Sequence, residues 1–138
     1  QINKCKNLKL ILKLKPQDNK DNRWIKFCNE KKIKYYSKEN LDYITKIEKI
    51  DYFIATISTA ILESTLHKAM PIKLITKNDF ADDLIKDKVV KKASNYRDIL
   101  NIVKKKPTKK EINRIFLKVW GKKQYKPKYI KKIISEKI

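Results

Sequence analysis

Five short apolar runs recur along this chain, each separated from the next by a stretch with helical spacing. They occupy residues 8–14, 33–36, 51–57, 71–76 and 89–93. Strands alternating with helices in this way make βαβ units, in which each crossover returns the chain parallel to the strand before it. Right-handed crossovers then lay the helices over the sheet faces. The fold class expected is therefore α/β: a Rossmann-like parallel sheet flanked by helices, with a basic helical tail at the C-terminal end. The length of 138 residues allows one such core and not two full ones.

The local signals fit that plan. Leu8-Lys-Leu-Ile-Leu-Lys-Leu14 reads as a covered strand and ends at Lys15-Pro16-Gln17-Asp18. A helix is expected over 21–31, with Trp24, Ile25, Phe27 and Cys28 at helical spacing, and a second over 41–48 with Ser37 as its N-cap. Asp51-Tyr-Phe-Ile-Ala-Thr-Ile57 is the strongest strand, being β-branched, aromatic and free of breakers. A helix over 60–69 follows it, and then a strand opened by Pro71, a first position that tolerates proline. An acidic turn and short helix are expected over 78–87. Asn95 is placed as the cap of a helix reaching about 104, and Thr108 with Glu111 forms a capping box for the next. Gly121 ends that helix, and Pro127 opens a final one. The expected division is a lobe over 1–104 and a basic tail over 105–138; residues 104–138 carry 14 basic and 2 acidic side chains.

Composition removes several function classes. The single glycine, Gly121, excludes the Gly-rich phosphate loops, which need several glycines at fixed spacing. One His (His67) and two Cys (Cys5, Cys28) without C-x-x-C spacing leave a zinc site one ligand short, so no metal is expected. No run approaches a membrane span, and no signal peptide is visible, because Lys9 and Lys13 interrupt the first apolar stretch. The net charge is +21, yet only Arg23, Arg97 and Arg114 among the basic residues are arginine. Lys, Ile and Asn share A/T-rich codons, so genome composition is one source of the charge. Arginine's bidentate fork for phosphates and bases is scarce, and nucleic acid is expected to bind only nonspecifically.

Chemistry concentrates between Asp51 and Thr76. In a parallel sheet, ligands sit beyond the carboxyl ends of the strands, where helix N-termini present unpaired amides to phosphates. Ser58 and Thr59 fall at such a turn, as phosphate ligands or as a plain N-cap. Glu63 stands about one turn into the next helix, within reach of a sugar's paired hydroxyls or simply at the surface. His67 reads first as a packing or surface residue, Asp79, Asp82 and Asp83 as a solvated loop, and Tyr35 and Tyr36 as strand packing.

The run DYFIATISTAILESTLHKAMPIKLI resembles the nucleotide-binding segment of GT-B glycosyltransferases. It is most similar to those that build bacterial surface polymers: sialyl- and polysialyltransferases of capsule and lipooligosaccharide, and teichoic acid glycerophosphotransferases. The matching positions are Ser58, Thr59, Ala60, Glu63, Ala69 and Pro71. Leu10-Ile-Leu-Lys-Leu-Lys-Pro16 is similar to the strand leading into that family's Lys-Pro-His-Pro loop; here Gln17 replaces the His and Asp18 the second Pro. Gln17 can still hydrogen-bond a phosphate oxygen but cannot carry a proton as an imidazole does. The family's Gly before the Pro of the later strand is also absent, near Ala69-Met70.

The resemblance covers about residues 8–104 and implies the C-terminal, donor-binding lobe of a glycosyltransferase. Lys15, Gln17, Ser58 and Thr59 would meet the phosphates of a CMP- or UDP-linked donor, and Glu63 its ribose. The acceptor, a surface polysaccharide or a lipid-linked chain, would be held largely by an N-terminal lobe, in a longer enzyme or on a separate chain. No further cofactor is implied. In the tail, Ile112, Phe116 and Trp120 would brace the other lobe, and the lysines suit an anionic membrane surface on the cytoplasmic side. The rival readings are a basic nucleic-acid-binding module, motivated by the charge, and a noncatalytic lobe bracing a partner chain, motivated by the missing His.

Overall fold

Each expected apolar run contains a strand, and among the described residues every pairing between strands is parallel. The computed structural model describes residues 7–15, 22–56, 60–75 and 82–121. These fall into two compact units, residues 1–48 and 49–138. The chain is α/β, with Rossmann-like parallel sheets flanked by helices.

In the first unit, β1 (Ile11–Lys13) pairs with β2 (Lys34–Tyr36) through the crossover helix α1 (Arg23–Lys31). The Leu14 amide extends the ladder by donating to the Tyr36 carbonyl at 2.8 Å. Leu14, Cys28 and Ile33 are buried, as are Leu41 and Ile44 of α2 (Leu41–Ile47). Trp24 and Phe27 stay 43% and 39% exposed, so their helical spacing marks a second face of α1 and not the core. The cap of α2 differs from expectation. Asn40, not Ser37, is the N-cap, accepting from the Tyr43 amide at 2.8 Å, because Asn40 immediately precedes the first helical residue.

Glu48 closes this unit. Its buried carboxylate accepts from Lys9 Nζ at 2.8 Å, from Lys34 Nζ, and from the Tyr36 hydroxyl at 3.0 Å. Hydrogen bonds from Lys34 and Lys9 lead in holding its pKa at about 2, against the opposing effect of burial.

The second unit is a three-stranded sheet of order β3 (Tyr52–Ala55), β4 (Met70–Leu74), β5 (Lys91–Ala93). Central β4 is buried from Met70 through Lys73. Pro71 is the second residue of β4, one place deeper than expected. Pairing with β5 begins only at Ile72, so Pro71 costs no bond on that side.

The helix expected over 60–69 is α3 (Ala60–Glu63) followed by a 3-10 turn, Ser64–His67. The buried Ser64 and Thr65 hydroxyls donate to the carbonyls three residues back, Ile61 at 2.8 Å and Leu62 at 2.6 Å. That competition, with Lys68 in the left-handed conformation, tightens the last turn. Helix α4 (Asp82–Lys86) links β4 to β5, and α5 (Tyr96–Lys104) is capped by Asn95 as expected.

The core of this unit joins Ile61, Leu62, Met70, Leu84, Val89 and Val90 to Ile115 and Val119 of α6 (Lys109–Trp120). Thr108 caps α6 by accepting from the Glu111 amide at 3.1 Å, while the Glu111 carboxylate pairs with Lys91 at 2.6 Å. Residues expected to brace another lobe are engaged within this unit. Ile112 packs on the core, Phe116 lies under Lys68 Nζ at 3.6 Å, and Trp120 Nε1 donates to Thr65 Oγ1 at 2.7 Å. The helix expected from Pro127 lies outside the described residues. No helix among the described residues is long and apolar enough to cross a membrane.

Candidate functional site

The carboxyl end of β3 is where the sequence puts the ligand. Strand β3 delivers the chain to Thr56, which is exposed, and α3 begins at Ala60. Within α3, Ile61 and Leu62 turn into the core and Glu63 turns outward. The Glu63 carboxylate makes no hydrogen bond or ion pair among the described residues. It is exposed at the last position of α3, about one helical turn after Ala60.

Of the other expected site residues, Lys15 is exposed directly after Leu14 in the first unit. Gln17, Ser58 and Thr59 lie outside the described residues, as do Asp18 and Asp79. The structure thus places two of the five, Lys15 and Glu63, one in each unit. Within the sheet β3-β4-β5 the strand order runs in one direction, so no reversal of order occurs among these strands.

One residue at this edge was missed by sequence reading. Lys73, on β4, is 0% exposed. Its Cα is registered with Ala55, and its ammonium donates to the carbonyl of Thr56, one residue nearer the carboxyl edge. Among the described residues it is the one buried lysine. In a chain so rich in lysine, a single Lys inside a strand reads as a solvent-facing position. The available signal was its setting, Pro71-Ile-Lys-Leu-Ile75, in a strand flanked on both sides by others, where both faces are covered.

Other candidates fall away from chemistry. Tyr36 is committed to Glu48. Burial raises the pKa of the Cys28 thiol, which makes it a poor nucleophile. Burial, with Asp51 and Glu111 nearby, raises that of Tyr52. His67 and Asp83 are half-buried. Among the described residues, no three His, Cys, Asp or Glu side chains gather as metal ligands would.

A cavity of about 390 Å³ lies elsewhere in the second unit, lined by Ile85, Val90 and Ile115 with Lys88, Lys91, Lys92, Glu111 and Arg114. None of the expected site residues lines it. Two of its cations serve the fold: Lys91 pairs with Glu111, and Arg114 donates to the Lys88 carbonyl at 2.9 Å at the end of α4. Comparison with protein families, curated proteins and solved structures finds no match to this chain.

Proposed function

We propose that this chain is the donor-binding part of a GT-B-type glycosyltransferase, moving a sugar or related group from a CMP- or UDP-linked donor to a surface polysaccharide or lipid-linked acceptor. Parallel strands joined by helices support the reading, since this framework gathers ligands at the carboxyl ends of its strands. The observation that carries it is Glu63, outward-facing on the helix after β3 while its neighbours Ile61 and Leu62 are buried.

In this reading Ser58 and Thr59 bind phosphate at the helix start, Lys15 and Gln17 are donor-phosphate ligands as the resemblance implies, and Glu63 accepts from the ribose hydroxyls. The chemistry asked of these residues is positioning the donor and stabilising the charge that develops on the departing nucleotide phosphate. With Gln17 in place of an imidazole, a general base comes from elsewhere, on a partner lobe that also holds the acceptor. The site of action is the cytoplasmic face of the membrane, where the lysine-rich chain is attracted to anionic lipid.

Titration calorimetry with CMP and UDP tests the assignment. Glu63→Ala and Ser58→Ala should each weaken binding by about tenfold, the scale of one hydrogen bond to a charged group. Equal affinities in the wild type and both variants would remove the site.

A further inference from the structure

The cavity beside α4, β5 and α6 has no part in the donor-binding reading, and every residue lining it is described. Its lining is of two kinds. Ile85, Val90 and Ile115 are aliphatic. Lys88, Lys91, Lys92 and Arg114 set four cations against the single carboxylate of Glu111. Like charges gathered around apolar side chains repel one another, and an anion placed among them relieves that repulsion.

These charges are not equally engaged. Lys91 pairs with Glu111 through Oε1 at 2.6 Å, which holds the carboxylate in place and leaves Oε2 as an acceptor. Arg114, one of few arginines among 36 basic residues, donates from Nη2 to the Lys88 carbonyl at 2.9 Å. That bond orients the guanidinium and leaves Nη1 and Nε to donate elsewhere. The ammonium groups of Lys88 and Lys92 make no hydrogen bond or ion pair among the described residues. An oriented guanidinium with two unengaged ammonium groups is a donor set for phosphate. A carboxylate oxygen in the same cavity repels a bare phosphate but accepts from a hydroxyl. The aliphatic lining suits a C–H surface, and with no aromatic side chain among the lining residues a base has nothing to stack on.

We propose that this cavity binds a phosphorylated monosaccharide. Arg114, Lys88 and Lys92 hold the phosphate, Glu111 accepts from a ring hydroxyl, and the C–H face of the sugar lies against Ile85, Val90 and Ile115. A volume of about 390 Å³ falls within the roughly 300–1,000 Å³ of small-molecule sites. The proposal stands independently of the donor-binding reading, because Glu63 does not line this cavity.

The test titrates the whole chain with glucose 1-phosphate, glucose 6-phosphate and inorganic phosphate in a calorimeter. One of the sugar phosphates should bind about tenfold more tightly than inorganic phosphate. Lys88→Gln combined with Lys92→Gln should weaken that sugar phosphate by about tenfold. Lys26→Gln combined with Lys31→Gln removes the same charge from the exposed surface of α1, and should change its affinity by about twofold or less. Glu111→Ala should abolish the preference for sugar phosphate over inorganic phosphate. In the wild type, the amide signals of Val90 and Ile115 should shift on saturation with the sugar phosphate. Equal losses in the two lysine pairs would reduce the binding to net charge and overturn the proposal, as would unmoved Val90 and Ile115 signals. If inorganic phosphate binds as tightly as both sugar phosphates, the cavity takes anions without reading a sugar, and the proposal falls.

Discussion

Among the described residues each unit buries one charged side chain, Glu48 in the first and Lys73 in the second, and they are opposite in sign. Glu48 accepts from Lys9, Lys34 and Tyr36 and ties β2, and the chain just before β1, to the end of α2. Its folded pKa is about 2, below the 4.5 of an unperturbed Glu, so the folded state favours the ionised form. The stability from this carboxylate is fully present above pH 4.5 and is lost as pH falls toward about 2. Glu48→Gln should lower the stability of the first unit at pH 7 and flatten its decline over that acid interval. The urea midpoint of that unit, followed through the amide signals of Leu14 and Ile33, reads both effects. Superimposable pH profiles for wild type and variant would contradict the assignment.

Among the elements, the end of α6 shows how local geometry differs from a sequence rule. A glycine just past a helix suggests the left-handed C-terminal position, but Gly121 has φ −75° and ψ −167°. Space is what the position needs: a Cβ there would stand 2.2 Å from the Leu117 carbonyl oxygen. Gly121→Ala should destabilise the second unit by about 1–3 kcal/mol, the usual scale for forced overpacking, measured as a drop in urea midpoint. An unchanged midpoint would refute it. The strands were legible because alternation and β-branched runs survive a lysine-rich background: residues 51–57 and 71–76 gave β3 and β4, and Asn95 and Thr108 announced their helices. What stayed hidden were outcomes of competition. Ser64 and Thr65 turn α3 into a 3-10 turn through hydroxyl bonds that no periodicity records. Of the candidate site, Glu63 was expected about one turn into the helix, as a ribose ligand or a surface residue, and it is exposed there. The burial of Lys73 was not legible, because it depends on β4 being covered by both β3 and β5.

At the scale of the molecule, a net charge of +21 attracts any polyanion, and that attraction must be separated from a pocket. Exposed lysines and the cation-lined cavity beside α4, β5 and α6 supply it. Random-sequence DNA should therefore lose affinity by about two orders of magnitude or more between 50 and 200 mM salt. CMP or UDP affinity should change by about twofold or less over that range. Parallel losses in filter-binding and calorimetric titrations would mean that nucleotide is held by surface charge, and would favour the nucleic-acid-binding reading.

The same abundance of lysine has a quieter effect where the sheet stops. Strand β5 borders the three-stranded sheet and begins with two exposed residues, Lys91 and Lys92. A second molecule approaching to add its own strand would bring like charges together before any backbone bond could form. Lys91 is already paired with Glu111, so Lys92 carries most of that repulsion, and neutralising its ammonium would lower the barrier to edge-to-edge association.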